Sequence, residues 1–141
     1  MKAETISIDG VEYRVFVEYP TRQRSFNIPD GPLAGKSLKP RKIRDIDGTY
    51  YSWSMIVGQD PKHPEDYDAF YEVISAPVDF HRVKMPFGQR ELEFDAAIYS
   101  GTDVDEGVRG ERRSWGDLQI FFEPMEPQRK PGDSTWKSAL L

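Results

Sequence analysis

The chain of 141 residues contains no cysteine. That excludes disulfides, thiolate metal ligation and a cysteine nucleophile. Histidine is nearly as scarce, with only His63 and His81. A histidine metal site needs clustered ligands at defined spacing, which two distant residues do not provide. Each reads as an ordinary surface polar residue. No segment approaches the eighteen or so apolar residues of a membrane helix. Met1-Lys2-Ala3-Glu4 leads directly into a strand pattern, without the apolar stretch of a secretory signal. The expectation is a soluble protein made in the cytoplasm. A Gly-x-Ser-x-Gly elbow is missing. Gly31 and Gly35 stand among Pro32 and basic residues, without the Gly-Lys-Ser/Thr ending of a phosphate loop. Asp103-Val104-Asp105-Glu106-Gly107 carries only part of a calcium-loop pattern. These gaps point away from an enzyme and away from any cofactor or metal.

Leucine is also sparse, six residues against nine valines and nine isoleucines, and aromatics reach 13%. That balance favours strands over helices. Leu, Ile, Val and Phe total 32 residues, about 23% of the chain and just above the level at which chains tend to disorder. The domain reading is a single β-rich unit over residues 1–123, followed by an extended proline-containing tail over 124–141. The tail carries Pro124, Pro127 and Pro131 and reads as a flexible terminus or docking arm.

The net charge of −5 is unevenly placed. Residues 1–45 hold nine Lys/Arg against six Asp/Glu, and residues 46–141 hold ten against eighteen. Arg22, Arg24, Lys36, Lys39, Arg41, Lys42 and Arg44 form a basic stretch broken only by Asp30. A basic arm on an acidic body suits an acidic partner or a head-to-tail neighbour of the same kind. Phe26, Tyr50 and Tyr51 are rings of the sort that stack on bases, but the acidic total argues against direct nucleic-acid binding.

Periodicity gives the elements. Thr5-Ile6-Ser7-Ile8, Asp9-Gly10 and residues 11–17 form a hairpin, because a type I′ turn needs positive φ at both central residues. A two-residue turn pairs Ile8 with Val11 and Ile6 with Tyr13. Residues 20–48 read as a long irregular basic loop with a short strand near Lys42-Ile43-Arg44-Asp45-Ile46. Residues 49–57 read as a strand with Tyr51, Trp53, Met55 and Val57 on one face. A helix runs over about 65–75. Pro64 opens it, Glu65 and Asp66 suit its positive end, and Tyr67, Phe70, Tyr71 and Ile74 make one apolar stripe. A second hairpin has arms at 81–85 and 91–99, with Pro86-Phe87-Gly88-Gln89 as its turn. Glu91, Glu93 and Asp95 lie on the outer face of its second arm, opposite Leu92, Phe94 and Ala96. Residues 100–114 read as a polar loop and 116–122 as the last strand. The fold class expected is α+β: a β-sandwich-like domain of mostly antiparallel strands, one packed helix and a long basic loop.

Several strings carry a resemblance. They are Ser25-Phe26-Asn27-Ile28-Pro29-Asp30-Gly31-Pro32, Arg44-Asp45-Ile46-Asp47-Gly48-Thr49-Tyr50-Tyr51, and Asp66-Tyr67-Asp68-Ala69-Phe70-Tyr71 through Pro77. Pro86-Phe87-Gly88-Gln89, and Trp115-Gly116-Asp117-Leu118 through Pro127-Gln128-Arg129, belong with them. Together they resemble a family of small structural proteins from tailed phages and prophages of Gram-positive bacteria, over about residues 5–131. The element order is similar to that of tail-tube and distal-tail proteins. The resemblance implies a virion structural protein, a ring-forming subunit of a tail, tail tip or baseplate. It implies a β-sandwich flanked by a helix, with residues 20–48 as the arm that reaches a neighbour. It further implies self-association, often as a hexamer, contacts with other tail proteins, a location in the virion and no membrane partner. Tube proteins usually carry a long hairpin in this region, and prolines and glycines interrupt it here. The residues expected to meet partners are Arg22, Arg24, Lys39, Arg41, Lys42 and Arg44 on the arm, and Glu91, Glu93 and Asp95 as an acidic counterpart. The alternative is a carbohydrate- or peptide-binding β-sandwich module using Tyr50, Tyr51, Trp53 and Trp115.

Overall fold

The computed structural model describes residues 3–36 and 41–134. In chain order it contains β1 (Ala3–Ile8), β2 (Val11–Val17), β3 (Gln23–Asn27), β4 (Gly35–Lys36), β5 (Lys42–Ile43) and β6 (Tyr50–Gln59). There follow α1 (Pro64–Ile74), β7 (His81–Phe87), β8 (Arg90–Ala97), β9 (Gly101–Arg109) and β10 (Arg112–Pro124). No helix among the described residues is long and apolar enough to cross a membrane.

The first hairpin forms in the expected register, Ile8 opposite Val11 and Ile6 opposite Tyr13. Asp9 (φ 54) and Gly10 (φ 82) both sit in the left-handed region that its tight turn requires. In β6, Tyr51, Trp53, Met55 and Val57 all point inward, as alternation requires. In α1, Tyr67, Phe70 and Ile74 are buried, whereas Tyr71 lies outside the stripe and is exposed.

The expected two-layer sandwich is not what these strands build. They close into a six-stranded barrel, β6-β2-β1-β7-β8-β10 and back to β6. The closing seam pairs Leu118 with Val57 through Phe122 with Trp53. In a sandwich β6 and β10 would leave unpaired edges facing each other across a gap. Bonding them to one another satisfies both rows of backbone groups. A barrel of this size has no pore, so its inward side chains must fill it. Ile8, Val15, Trp53, Val57, Val83, Met85, Leu118 and Phe122 do so at 2% exposure or less. The indole of Trp53 stacks on Phe94 at 5.1 Å, and its Nε1–H donates to the Pro86 carbonyl at 3.0 Å. Helix α1 packs mainly on β2, where Phe70 meets Tyr13 edge-to-face at 5.9 Å.

Three local readings change. Residues 100–114 are not a loop: β9 and the start of β10 form a hairpin there, and β10 runs thirteen residues. Register shifts at Ser114/Trp115 and Gly116/Gln119 bend β10 from that hairpin into the barrel wall. The second hairpin turns on Gly88 and Gln89 alone, with Pro86 and Phe87 inside β7. The 20–48 region contains β3, paired along β6, and the small β4–β5 sheet.

Residues 125–134 lie back on the barrel. Gln128 accepts from Tyr51 N–H at 2.8 Å and donates to the Tyr51 carbonyl at 2.7 Å, so one side chain imitates a strand neighbour. Thr49 and Arg129 form a bridge. Gly48 makes that approach possible. It is buried, has φ 134, and an added Cβ would lie 2.6 Å from Pro127 Cβ.

Candidate functional site

The basic arm is a folded lobe over much of its described length. Gly31 N–H donates to the Asp45 carbonyl at 2.6 Å, and Leu33 N–H to Asp45 Oδ2 at 3.1 Å. Asp47 N–H donates to the Pro29 carbonyl at 3.0 Å, and Asp30 bridges to Ile46. These cross-links hold residues 29–33 against residues 45–47. They leave apolar side chains outward: Phe26 is 70% exposed and Leu33 81%, with Ile43 and Ile46 also exposed. Surface rich in such groups beside basic residues marks an interaction site more readily than a solvated loop does.

The six arm cations separate into distinct roles. Arg22 is partly buried and pairs with Glu4 at 2.8 Å, while its Nε is buried without a hydrogen-bond partner. Arg24 places its guanidinium 4.9 Å from the centre of the Phe87 ring, which meets Tyr51 edge-to-face at 5.0 Å. Arg44 is structural, donating to Asp30 at 3.0 Å and to the Ile28 carbonyl at 2.8 Å. Arg41 and Lys42 are exposed at the base of β5. Lys39 lies outside the described residues.

The acidic counterpart is largely neutralised from within. Arg82 donates to Glu93 and to Asp95, each at 3.1 Å, and Lys84 sits 3.7 Å from Glu93. Glu91 is exposed further along the same strand. A second acidic surface lies on α1, where acids on the polar face of an amphipathic helix carry no signal in the sequence beyond ordinary solvation. Glu65, Asp68 and Glu72 are exposed on the face of α1 opposite its apolar stripe, and the last turn of the helix holds no basic residue.

The histidines also part company. His63 Nε2 accepts from Arg14 at 2.9 Å on the surface. His81, expected at the surface, is 3% exposed, and its Nδ1–H donates to Asp9 Oδ2 at 2.7 Å. Asp9 Oδ1 accepts from Arg82 N–H at 2.8 Å, and Asp9 N–H donates to the Arg82 carbonyl at 2.7 Å. One turn residue thus clips the first hairpin onto β7. Partial burial raises the Asp9 pKa, but the bonds from His81 and Arg82 outweigh it and hold the carboxylate below its ordinary value. Burial pushes the Tyr67 phenol well above the usual tyrosine value, and its 2.8 Å bond to Asp103 adds to the effect.

Among the described residues, no three His, Asp or Glu side chains converge as a metal site requires. The rings offered for a ligand platform are mostly packed inward: Trp53 is 1% and Tyr51 9% exposed, with Tyr50 and Trp115 half-buried. Tyr51 and Trp53 belong to the core, and Trp115 packs against it. No protein-family model matches the chain. A search of curated proteins likewise returns no match.

Proposed function

We propose that the protein is a structural subunit of a phage tail or tail tip, working by docking its basic, apolar arm onto a neighbouring copy. The observation that carries this reading is the arm itself, whose exposed surface combines Leu33, Ile43 and Ile46 with Arg41 and Lys42. The resemblance along residues 5–131 supports it independently. A closed barrel removes most of the sheet edges through which subunits pair. In the eight-stranded sheet, β3 and β9 stand at the two ends of the strand order and keep a free side. The acceptor on the neighbour is the exposed face of α1. Glu93 and Asp95 are already held by Arg82, whereas Asp68 and Glu72 face outward.

Light scattering on the chromatographed protein and negative-stain images test the proposal. The full chain should assemble, and assembly should weaken in Arg41→Glu/Lys42→Glu. Arg44 is left intact because it holds the lobe together. Adding Asp68→Lys/Glu72→Lys should restore assembly by reversing both partners. A strictly monomeric wild type at high concentration, absent from purified particles, would refute the subunit role. Unchanged assembly in the arm variant would refute the arm as its means.

A further inference from the structure

An open groove of about 610 Å³ crosses the outer face of the sheet where β3, β6, β10 and β9 lie side by side. Its size falls within the roughly 300–1,000 Å³ typical of ligand pockets. Twelve residues line it, and none is charged. Met55 and Ile120 belong to the core, and with 30% of the chain charged about three charges would be expected among the other ten positions. Such depletion fits recognition of an uncharged ligand, because an unpaired charge would lose hydration on contact and gain nothing.

The register arranges the lining in two rows. Gln23, Ser54 and Phe121 face one another across β3, β6 and β10. Ile56, Gln119 and Thr102 do the same across β6, β10 and β9. Each row combines amide or hydroxyl groups with an apolar side chain. Among the described residues, none of the Gln23, Ser54, Thr102 and Gln119 side chains is engaged in a hydrogen bond. Their donors and acceptors are turned to solvent. One aromatic ring lies in the groove itself: Phe121, 46% exposed, at the end of the first row. The Pro20 side is anchored, because Thr21 Oγ1 donates to the Glu18 carbonyl at 2.5 Å and accepts from Ile56 N–H at 3.1 Å.

We propose that this groove binds a short neutral oligosaccharide. The apolar face of a sugar ring packs on Phe121, and its hydroxyls exchange hydrogen bonds with the two amides and two hydroxyls. A peptide strand fits less well. Peptides that bind sheets take main-chain bonds from a free edge, and β6 and β10 at the groove floor are paired on both sides. The site shares neither Arg41 and Lys42 nor the α1 acids with the assembly proposal, so either can fail alone.

The test is an amide NMR titration of the full chain with maltotriose, cellotriose and triacetylchitotriose, and a heparin-derived disaccharide as charged control. At least one neutral sugar should give saturable shifts centred on Thr102, Gln119 and Phe121. Gln119→Ala and Phe121→Ala, both at exposed positions and so near-neutral for folding, should each weaken binding about tenfold or more. No saturable shift with any of the three would overturn the proposal. So would unchanged binding in both variants, or stronger binding of the charged control. Groove shifts that follow protein concentration without sugar would make a second copy the occupant, and would also overturn it.

Discussion

Replacing Asp9 tests how one turn residue joins the two hairpins. Asp9→Ala has two separate costs. The residue sits at φ 54, and a Cβ-bearing side chain without a local hydrogen bond is disfavoured there by about 1–2 kcal/mol. It also strands the Nδ1–H of His81, whose side chain is only 4% exposed. An unsatisfied buried donor costs about 1–3 kcal/mol. The sum is about 2–5 kcal/mol, a large share of the roughly 5–15 kcal/mol that holds a domain together. Asp9→Gly removes the conformational cost and keeps the second, so it should lose about 1–3 kcal/mol. Asp9→Asn should be mildest. Asn tolerates this backbone, its amide oxygen still accepts from Arg82 N–H, and its NH2 can donate to Nδ1 once the imidazole proton moves to Nε2.

The pH dependence has a fixed sign. A carboxylate with a depressed folded value stabilises above its unfolded pKa of about 3.9, and that contribution is lost as pH falls through the folded value. The gap between wild type and Asp9→Asn should therefore hold steady near neutral pH and narrow as pH falls below about 4. Urea melts followed by tryptophan fluorescence measure all of this. Equal stability of the Ala and Gly variants would refute the backbone argument. A gap between wild type and Asn that stays constant with pH would refute the electrostatic one.

Other perturbations probe the remaining contacts. Phe70→Ala, at a fully buried site against Tyr13, should cost about 3–5 kcal/mol in the same melts. Tyr67→Phe should cost about 1.5–3 kcal/mol, since the lost bond is to a charged acceptor. With its folded value raised, Tyr67 stabilises fully below the unfolded tyrosine value and ever less as pH climbs above about 10. Spectrophotometric titration of the native protein should accordingly miss one tyrosine that appears on unfolding and is absent in Tyr67→Phe. Gly48→Ala should drive Pro127 and Arg129 off the barrel. Limited trypsin digestion should then cut after Arg129 faster than in the wild type, and an unchanged rate would deny that Gly48 seats the strap.

The first hairpin, β6, the helix stripe and the alternation of β8 were legible because each is a local pattern. Asp-Gly fixes a turn, and a face that packs on a core must be apolar at period two or 3.6. The strands that escaped notice lack that signal. All five residues of β3 are exposed, and β9 buries none fully. A strand solvated on both faces has no reason to alternate, so Gly101, Gly107 and Gly110 read as loop. The candidate surfaces followed the same rule. The arm's basic residues can be counted in the sequence, yet only the structure shows that Arg44 and Arg22 are held by contacts to other segments and that Arg41 and Lys42 are exposed. The groove had no signature at all, since Gln23, Ser54, Thr102 and Gln119 are unremarkable until four strands set them in rows.

By itself, the sequence determined the chemistry and the local elements: no thiol, strands joined by tight turns, one amphipathic helix, and charge divided between an arm and a body. Tertiary structure alone decided that the sheet closes. Its seam joins residues 53–57 to 118–122, and pairing across that separation is chosen by how all the inward side chains fill one interior. The same closure buried His81 and assembled a charge-free groove from residues nearly a hundred positions apart.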